Sequence, residues 1–188
     1  MKKSNLFWRF VDILAYRVKR IAILYESTIG KAYREEKEKF GLSNSKKLLH
    51  IGGGDYPLTA MILAEKNNMQ ITIIDNNRRA VKAANKVLHK KNLYGRLKAE
   101  NVDGRNYPLD GFDTIVVSGC SIPKVKVLEH ILNDSKPKCK IITRDAYLDI
   151  ESIIKNMNPK QDIKIIDKMK FNPLPTSFWC SYYLEKNG

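Results

Sequence analysis

Leu48-Leu49-His50-Ile51-Gly52-Gly53-Gly54-Asp55 is the stretch that decides the fold. A short apolar run, fit for a buried strand, breaks into three glycines, and a helical pattern opens at Leu58. Glycines permit a tight turn with positive φ and put no Cβ between the main chain and a ligand. The start of the following helix offers N–H groups that nothing inside the helix satisfies, a favourable place for an anion. By itself this is also what a glycine-rich turn in any α/β protein looks like.

Working outward, the same alternation continues to the end. Gln70–Ile74 reads as a strand closing at Asp75, followed by a helix over Arg78–Lys90. Gly95–Glu100 and Phe112–Val117 are strands. Lys124–Leu132 is a helix, Cys139–Thr143 a strand and Leu148–Met157 a helix. The last two strands, Ile163–Met169 and Ser177–Leu184, have only a proline-rich turn between them, so they pair antiparallel. Strand-helix alternation predicts a mostly parallel sheet with helices on both faces. Before it, residues 5–40 read as helix. Phe7, Phe10, Val11, Leu14, Val18, Ile21 and Tyr25 form its apolar face, and Gly30 weakens or ends it before a charged stretch, Lys31–Phe40. The expected division is an N-terminal helical extension, 1–45, and a sheet domain, 46–188.

Composition sets outer bounds. At 188 residues and 43% apolar, the chain makes one packed domain. The net charge is +14, and half of the excess falls in the first 50 residues, which carry 12 Lys/Arg against 5 Asp/Glu. This leaves RNA or another anionic partner open, although lysine-rich surfaces throughout are the plainer explanation. Three cysteines, Cys120, Cys139 and Cys180, have neither disulfide nor metal-ligand spacing, and the histidines are scattered, so no metal site is expected. Arg9, Asp12, Arg17, Lys19 and Arg20 interrupt the apolar N-terminal run, which argues against a transmembrane segment or a signal peptide. A cytoplasmic protein with reduced thiols is the expectation, and a homodimer stays open.

Three features bear on chemistry. The glycine loop is the first. The second is Asp75, one strand over, where a carboxylate accepts both hydroxyls of a ribose; capping the next helix is its plain structural alternative. The third is Asn101-Val102-Asp103-Gly104, a loop able to meet an adenine amino group, though also ordinary turn chemistry. Together they resemble the class I S-adenosylmethionine-dependent methyltransferase family over residues 48–184. The resemblance implies a Rossmann-like three-layer sandwich with a seven-stranded, mostly parallel sheet and an antiparallel last strand. It implies S-adenosylmethionine as cofactor, held by His50, Gly52, Gly53, Gly54, Asp75, Asn76, Asp103, Gly104, Ser118 and Gly119. His50 departs from the family, which has an acid there to hold the methionine amino group, and Tyr56 stands at the third glycine position.

Gly52-Gly53-Gly54-Asp55-Tyr56-Pro57-Leu58-Thr59 is also similar to the Gly-x-Gly-x-x-Pro-Leu-Thr loop of nicotianamine synthases, which transfer the cofactor's aminocarboxypropyl group. Thr143-Arg144-Asp145-Ala146 is loosely similar too. That family takes a catalytic glutamate from a larger helical domain; Tyr25-Glu26 is the pair this chain offers, without a motif to carry the role across. The expectation is thus a methyltransferase of unknown acceptor, a small molecule first, with RNA or protein open. An aminocarboxypropyl transferase making a metal chelator and a non-catalytic binding module are the alternatives. Cys120 reads as a small residue beside the cofactor more readily than as a nucleophile. Arg144 and Asp145 read equally as a surface ion pair or as acceptor contacts. The catalytic residues and the acceptor itself are not legible.

Overall fold

The computed structural model describes residues 3–146, 148–157, 163–174 and 177–186, without the side chains of 3–6, 174 and 177. Two helices come first, α1 (Lys3–Arg17) and α2 (Lys19–Lys39). The remaining elements alternate: β1 (Lys47–Ile51), α3 (Leu58–Leu63), β2 (Gln70–Ile74), α4 (Arg78–Lys90), β3 (Leu97–Glu100), β4 (Thr114–Val117), α5 (Lys124–Asp134), β5 (Lys140–Asp145) and α6 (Ile150–Met157). A closing hairpin follows, β6 (Ile163–Leu174) and β7 (Ser177–Lys186). The described strands form one seven-stranded sheet in the order β3-β2-β1-β4-β5-β7-β6. Only β7 runs against its neighbours, pairing antiparallel with both β5 and β6. The Rossmann-like sandwich read from the sequence is the observed fold.

Period-two alternation sorts the strand side chains into two cores. Leu48 of β1, Ile73 of β2 and Val116 of β4 face α1 to α4. Leu49, Ile74, Ile115 and Val117 face α5 and α6. Nearly unbroken apolar runs are what a sheet buried on both faces requires. At the open edge, Asn85 of α4 stands in for a missing strand: its side chain donates to Ala99 O (2.9 Å) and accepts from Ala99 N (3.0 Å) on β3.

The N-terminal helices depart from the sequence expectation in two ways. The break falls at Val18, extended at φ −122° and ψ 109°, and α2 runs straight through Gly30. A Cβ on Gly30 would lie 3.3 Å from Ile62 Cδ1, so its bare surface seats α3 against α2. That close packing offsets the roughly 1 kcal/mol that glycine costs inside a helix. The expected apolar face is also rotated. Phe7 and Phe10 are 49% and 57% exposed, while Trp8, Asp12 and Ala15 turn inward. Trp8 sets this rotation: it stacks on Tyr25 of α2 (6.4 Å) and meets Trp179 of β7 edge-on (6.3 Å).

Candidate functional site

The glycine loop turns in the way its composition anticipates. Gly52 and Gly54 have φ of +84° and +68°, the left-handed region that side chains disfavour. Gly53 is held by space instead: a Cβ there would sit 2.1 Å from Ile73 Cγ2. The turn brings Gly54 N–H to Asp75 Oδ2 (3.0 Å), while Asp75 Oδ1 accepts from Asn77 N (2.9 Å). Asp75 therefore braces the loop from the end of β2. It does not cap α4; that role belongs to Asn77, which accepts from Arg79 N at 3.0 Å.

Two adjoining cavities open at the C-terminal ends of the parallel strands, where open α/β sheets bind ligands. The outer one, of about 400 Å³, is lined by Gly52, Gly54, Asp75, Asn76, Asp103 and Gly104, among others. The inner one, about 80 Å³, is lined by His50, Gly53, Ser118 and Gly119 with residues from α1, α2, β5 and β7. All ten sequence-predicted cofactor residues border one cavity or the other. Asp12, Gly52 and Cys120 border both. Asn101 lies outside, donating to Asp75 O (2.9 Å). The Asp103 carboxylate is already gripped by Arg105, through Nε (3.0 Å) and Nη2 (2.6 Å), which holds it below the usual carboxylate range.

His50 is buried, sharing a 2.8 Å hydrogen bond with Ser118 Oγ. Burial, then the nearby Arg144 charge, pushes its pKa down to about 3. It is a neutral imidazole at physiological pH and cannot balance an ammonium as an acid would. Asp12 brings a carboxylate to the same loop from α1. A Cβ built on Gly54 would fall 2.2 Å from Asp12 Oδ2, so the acid occupies the space the glycine leaves. Burial raises the Asp12 pKa well above the usual carboxylate range. A hydrogen bond from Tyr25 lowers it in part, and the Asp55 and Asp75 charges raise it further. Sequence reasoning missed Asp12, counting it only as a charge interrupting an apolar run. Glu26 goes elsewhere: it accepts from Tyr56 Oη and pairs with Lys91 Nζ (2.5 Å), outside both cavities.

Arg144 belongs to the interior and not to the surface. It is 3% exposed and donates through Nε to Glu36 Oε2 (2.8 Å) and through Nη1 to Thr59 Oγ1 (2.8 Å), with its guanidinium stacked 4.0 Å over Tyr33. Glu36 is fully buried. Asp145 turns the other way, accepting from Leu148 N (2.9 Å). Lys124 fastens the strand ends beneath the cavities, donating to Ser118 O (2.5 Å) and Arg144 O (2.7 Å). Burial pushes its pKa down to about 8. Cys120 is a thiol, its pKa pushed up to about 11 by burial and by Asp12. Among the described residues, no group of three His, Cys, Asp or Glu side chains is arranged to hold a metal ion. No described helix is long and apolar enough to cross a membrane.

Residues 37–118, from the end of α2 to the end of β4, match the family model described as methyltransferase small domain. No curated protein sequence matches the chain. Among solved structures, a mutant of the nicotianamine synthase MtNAS in complex with S-adenosylmethionine superposes with a TM-score of 0.77 at 15% identity, covering 99% of this chain and 76% of that one. The cyclase SpnF gives 0.68 at 14% identity, over 84% and 81%. The mitomycin 7-O-methyltransferase MmcR gives 0.63 at 14% identity, over 92% and 59%. At these identities the superpositions define a fold, that of the class I methyltransferases. The family match takes in the glycine loop and Asp75.

Proposed function

We propose that the chain transfers a methyl group from S-adenosylmethionine to a small molecule held in the inner cavity, with Asp12 as the base between the two cavities. The single observation behind this reading is the junction: two cavities share Asp12, Gly52 and Cys120, and one of these is a carboxylate. The outer cavity fits the cofactor. Its volume lies within the range of about 300–1,000 Å³ common to small-molecule sites. A Cβ on Gly104 would fall 2.7 Å from Ile51 Cγ2, so that wall has no room for a side chain. Asp75 is only half-buried, with lone pairs left over from its two backbone contacts. In this reading Asp75 holds the ribose, the loop after β3 borders the adenine, and Gly52 to Gly54 carry the amino-acid tail. Helices α1 and α2 roof the acceptor.

When bound, the cofactor supplies a sulfonium-activated carbon, whose broken C–S bond leaves its electron pair on the departing neutral thioether. The protein's share is then positioning, exclusion of water and one proton. Asp12 Oδ2 takes the proton that an amine or hydroxyl acceptor loses. A buried carboxylate with a raised pKa is suited to this, since an effective base has a pKa near the working pH. A cation beside it favours its ionised form, so a bound sulfonium would hold Asp12 as the carboxylate.

A second reading is favoured by one observation. The nicotianamine synthase superposition takes in the N-terminal helices, covering nearly the whole chain, and the Pro57-Leu58-Thr59 loop agrees with that family. Aminocarboxypropyl transfer is that reading. Incubation of the protein with labelled S-adenosylmethionine and a small-molecule extract separates the two. S-adenosylhomocysteine as product supports methyl transfer and methylthioadenosine the second reading. Tight cofactor binding with neither product, whatever the extract, overturns both.

A further inference from the structure

Three buried nitrogens that border the inner cavity are left without partners. Arg144, Trp179 and His50 line it and are 3%, 8% and 1% exposed. Each has a nitrogen without a hydrogen-bond partner: Arg144 Nη2, Trp179 Nε1 and His50 Nδ1. The guanidinium and the indole can only donate. Leaving such donors unpaired away from water is costly, and native interiors rarely do so without reason. Acceptors on the nearby walls are already engaged. Both Glu36 oxygens accept from Arg144 Nε, and Oε2 also from Ser181 Oγ (3.2 Å). Thr59 Oγ1 accepts from Arg144 Nη1. Asp12 accepts from Tyr25.

A group made only of acceptors is what this wall lacks. Space narrows the choice. At about 80 Å³ against about 400 Å³ for the outer one, the inner cavity suits one small polar group such as a carboxylate. A phosphate is bulkier and more highly charged than a carboxylate, so the narrow space disfavours it. Position narrows it again. Arg144 ends β5 and Trp179 sits on β7, both on the far side of β4 from Asp75 on β2. The ribose acid and the unpaired donors therefore serve opposite halves of the sheet.

We propose that the inner cavity is an acceptor subsite for a carboxylate. The acceptor is a small carboxylic acid bearing an amine or hydroxyl, its oxygens taking the free N–H groups of Arg144 and Trp179 while its nucleophile faces Asp12. This rests on the transferase reading above and names the acceptor class for it. Bonds from charged groups of this kind are the strong ones, so they fix the acceptor's orientation as well as its affinity.

The chain's two tryptophans, Trp8 and Trp179, both line this cavity, so their fluorescence reports occupancy. The test titrates the full chain, alone and saturated with S-adenosylhomocysteine, with glycine, serine and glutamate. Glycinamide, serinamide and inorganic phosphate are the controls. At least one acid is expected to shift the fluorescence, with its amide weaker by about 10-fold or more, the loss of a hydrogen bond to a charged group. Trp179→Phe keeps an aromatic ring and removes the N–H; it should weaken the acid by a similar factor while Trp8 still reports. The pair Glu36→Gln with Arg144→Gln removes both buried charges together, and circular dichroism checks that it folds; acid binding should be lost. Acid and amide binding alike, no acid binding at millimolar concentration, phosphate binding more tightly, or Trp179→Phe without effect overturns the proposal. So does displacement of the acid by S-adenosylhomocysteine, which would assign the cavity to the cofactor's own carboxylate. Calorimetry of S-adenosylhomocysteine alone tests the transferase reading separately: the heat is retained if only the acceptor assignment fails.

Discussion

The outer and inner cavities lie side by side and are built by opposite means. The outer one is made of main chain and short-range contacts. Asp75 reaches the glycine loop across one strand pairing, and the loops after β1, β2 and β3 supply half of its wall. The inner one is made of side chains distant in sequence: Asp12 from α1, Tyr25 and Tyr33 from α2, Arg144 from β5 and Trp179 from β7. Its buried ion pair joins residues 108 positions apart. The difference teaches where a site built from the shared fold ends and one built from this chain's own side chains begins. The family match stops at residue 118, covering the glycine loop and Asp75 but not Arg144 or Trp179.

If the inner cavity is held open by its side chains, removing one partner of the buried pair should have the largest effect. Glu36→Ala leaves Arg144 charged and uncompensated in the interior. It should cost about 3–5 kcal/mol of stability, read from urea unfolding. A loss under 1 kcal/mol would mean the pair does not hold the two halves together.

Next is the shared wall. Asp12→Asn should lower turnover by at least roughly 100-fold, about 3 kcal/mol, while cofactor affinity changes much less. The pH dependence carries the same signature. Asp12 must be ionised to act, so the rate should fall as pH drops through a pKa above the ordinary carboxylate range, and the His50 pKa of about 3 lies too low to interfere. The stability effect has the opposite sign. Because folding raises the Asp12 pKa, its contribution is complete below the unfolded value of about 3.9 and is lost as pH rises through the folded one. Asp12→Asn should therefore raise the melting temperature at pH 7, with the gain vanishing in acid. Lower stability at pH 7 would break the account of a strained base.

On the outer side the effects are smaller. Asp75→Ala should weaken cofactor binding by about 1–3 kcal/mol in calorimetry and leave the inner cavity's acid binding intact. Unchanged affinity would remove Asp75 from the site. Smallest of all, S-adenosylmethionine binding should release a fraction of a proton from Asp12, seen as a dependence of the heat on buffer ionisation. Neutral S-adenosylhomocysteine should release none.

The contrast also explains what the sequence could tell. Strand order, the antiparallel end and the glycine loop follow from local patterns: apolar runs, breakers, and the spacing of Asp75. The rotation of α1 does not, because its apolar residues occupy more than one face and only Trp8 meeting Tyr25 and Trp179 decides which face turns in. Asp12 was hidden for that reason. A lone acid on an apolar helix is the signal that could have found it, since burial there needs a partner. Arg144 reads equally as part of a surface ion pair or as an acceptor contact because Glu36, which neutralises it, lies in a charged run of α2 that reads as solvated.

A crystal structure with S-adenosylhomocysteine bound tests the central claim most directly. The ribose hydroxyls should lie within hydrogen-bond distance of Asp75, and the sulfur at the gap between Asp12 and Cys120, facing the inner cavity. A sulfur turned toward the α5 side, or a ligand that leaves Asp75 and Gly52 untouched, would contradict it.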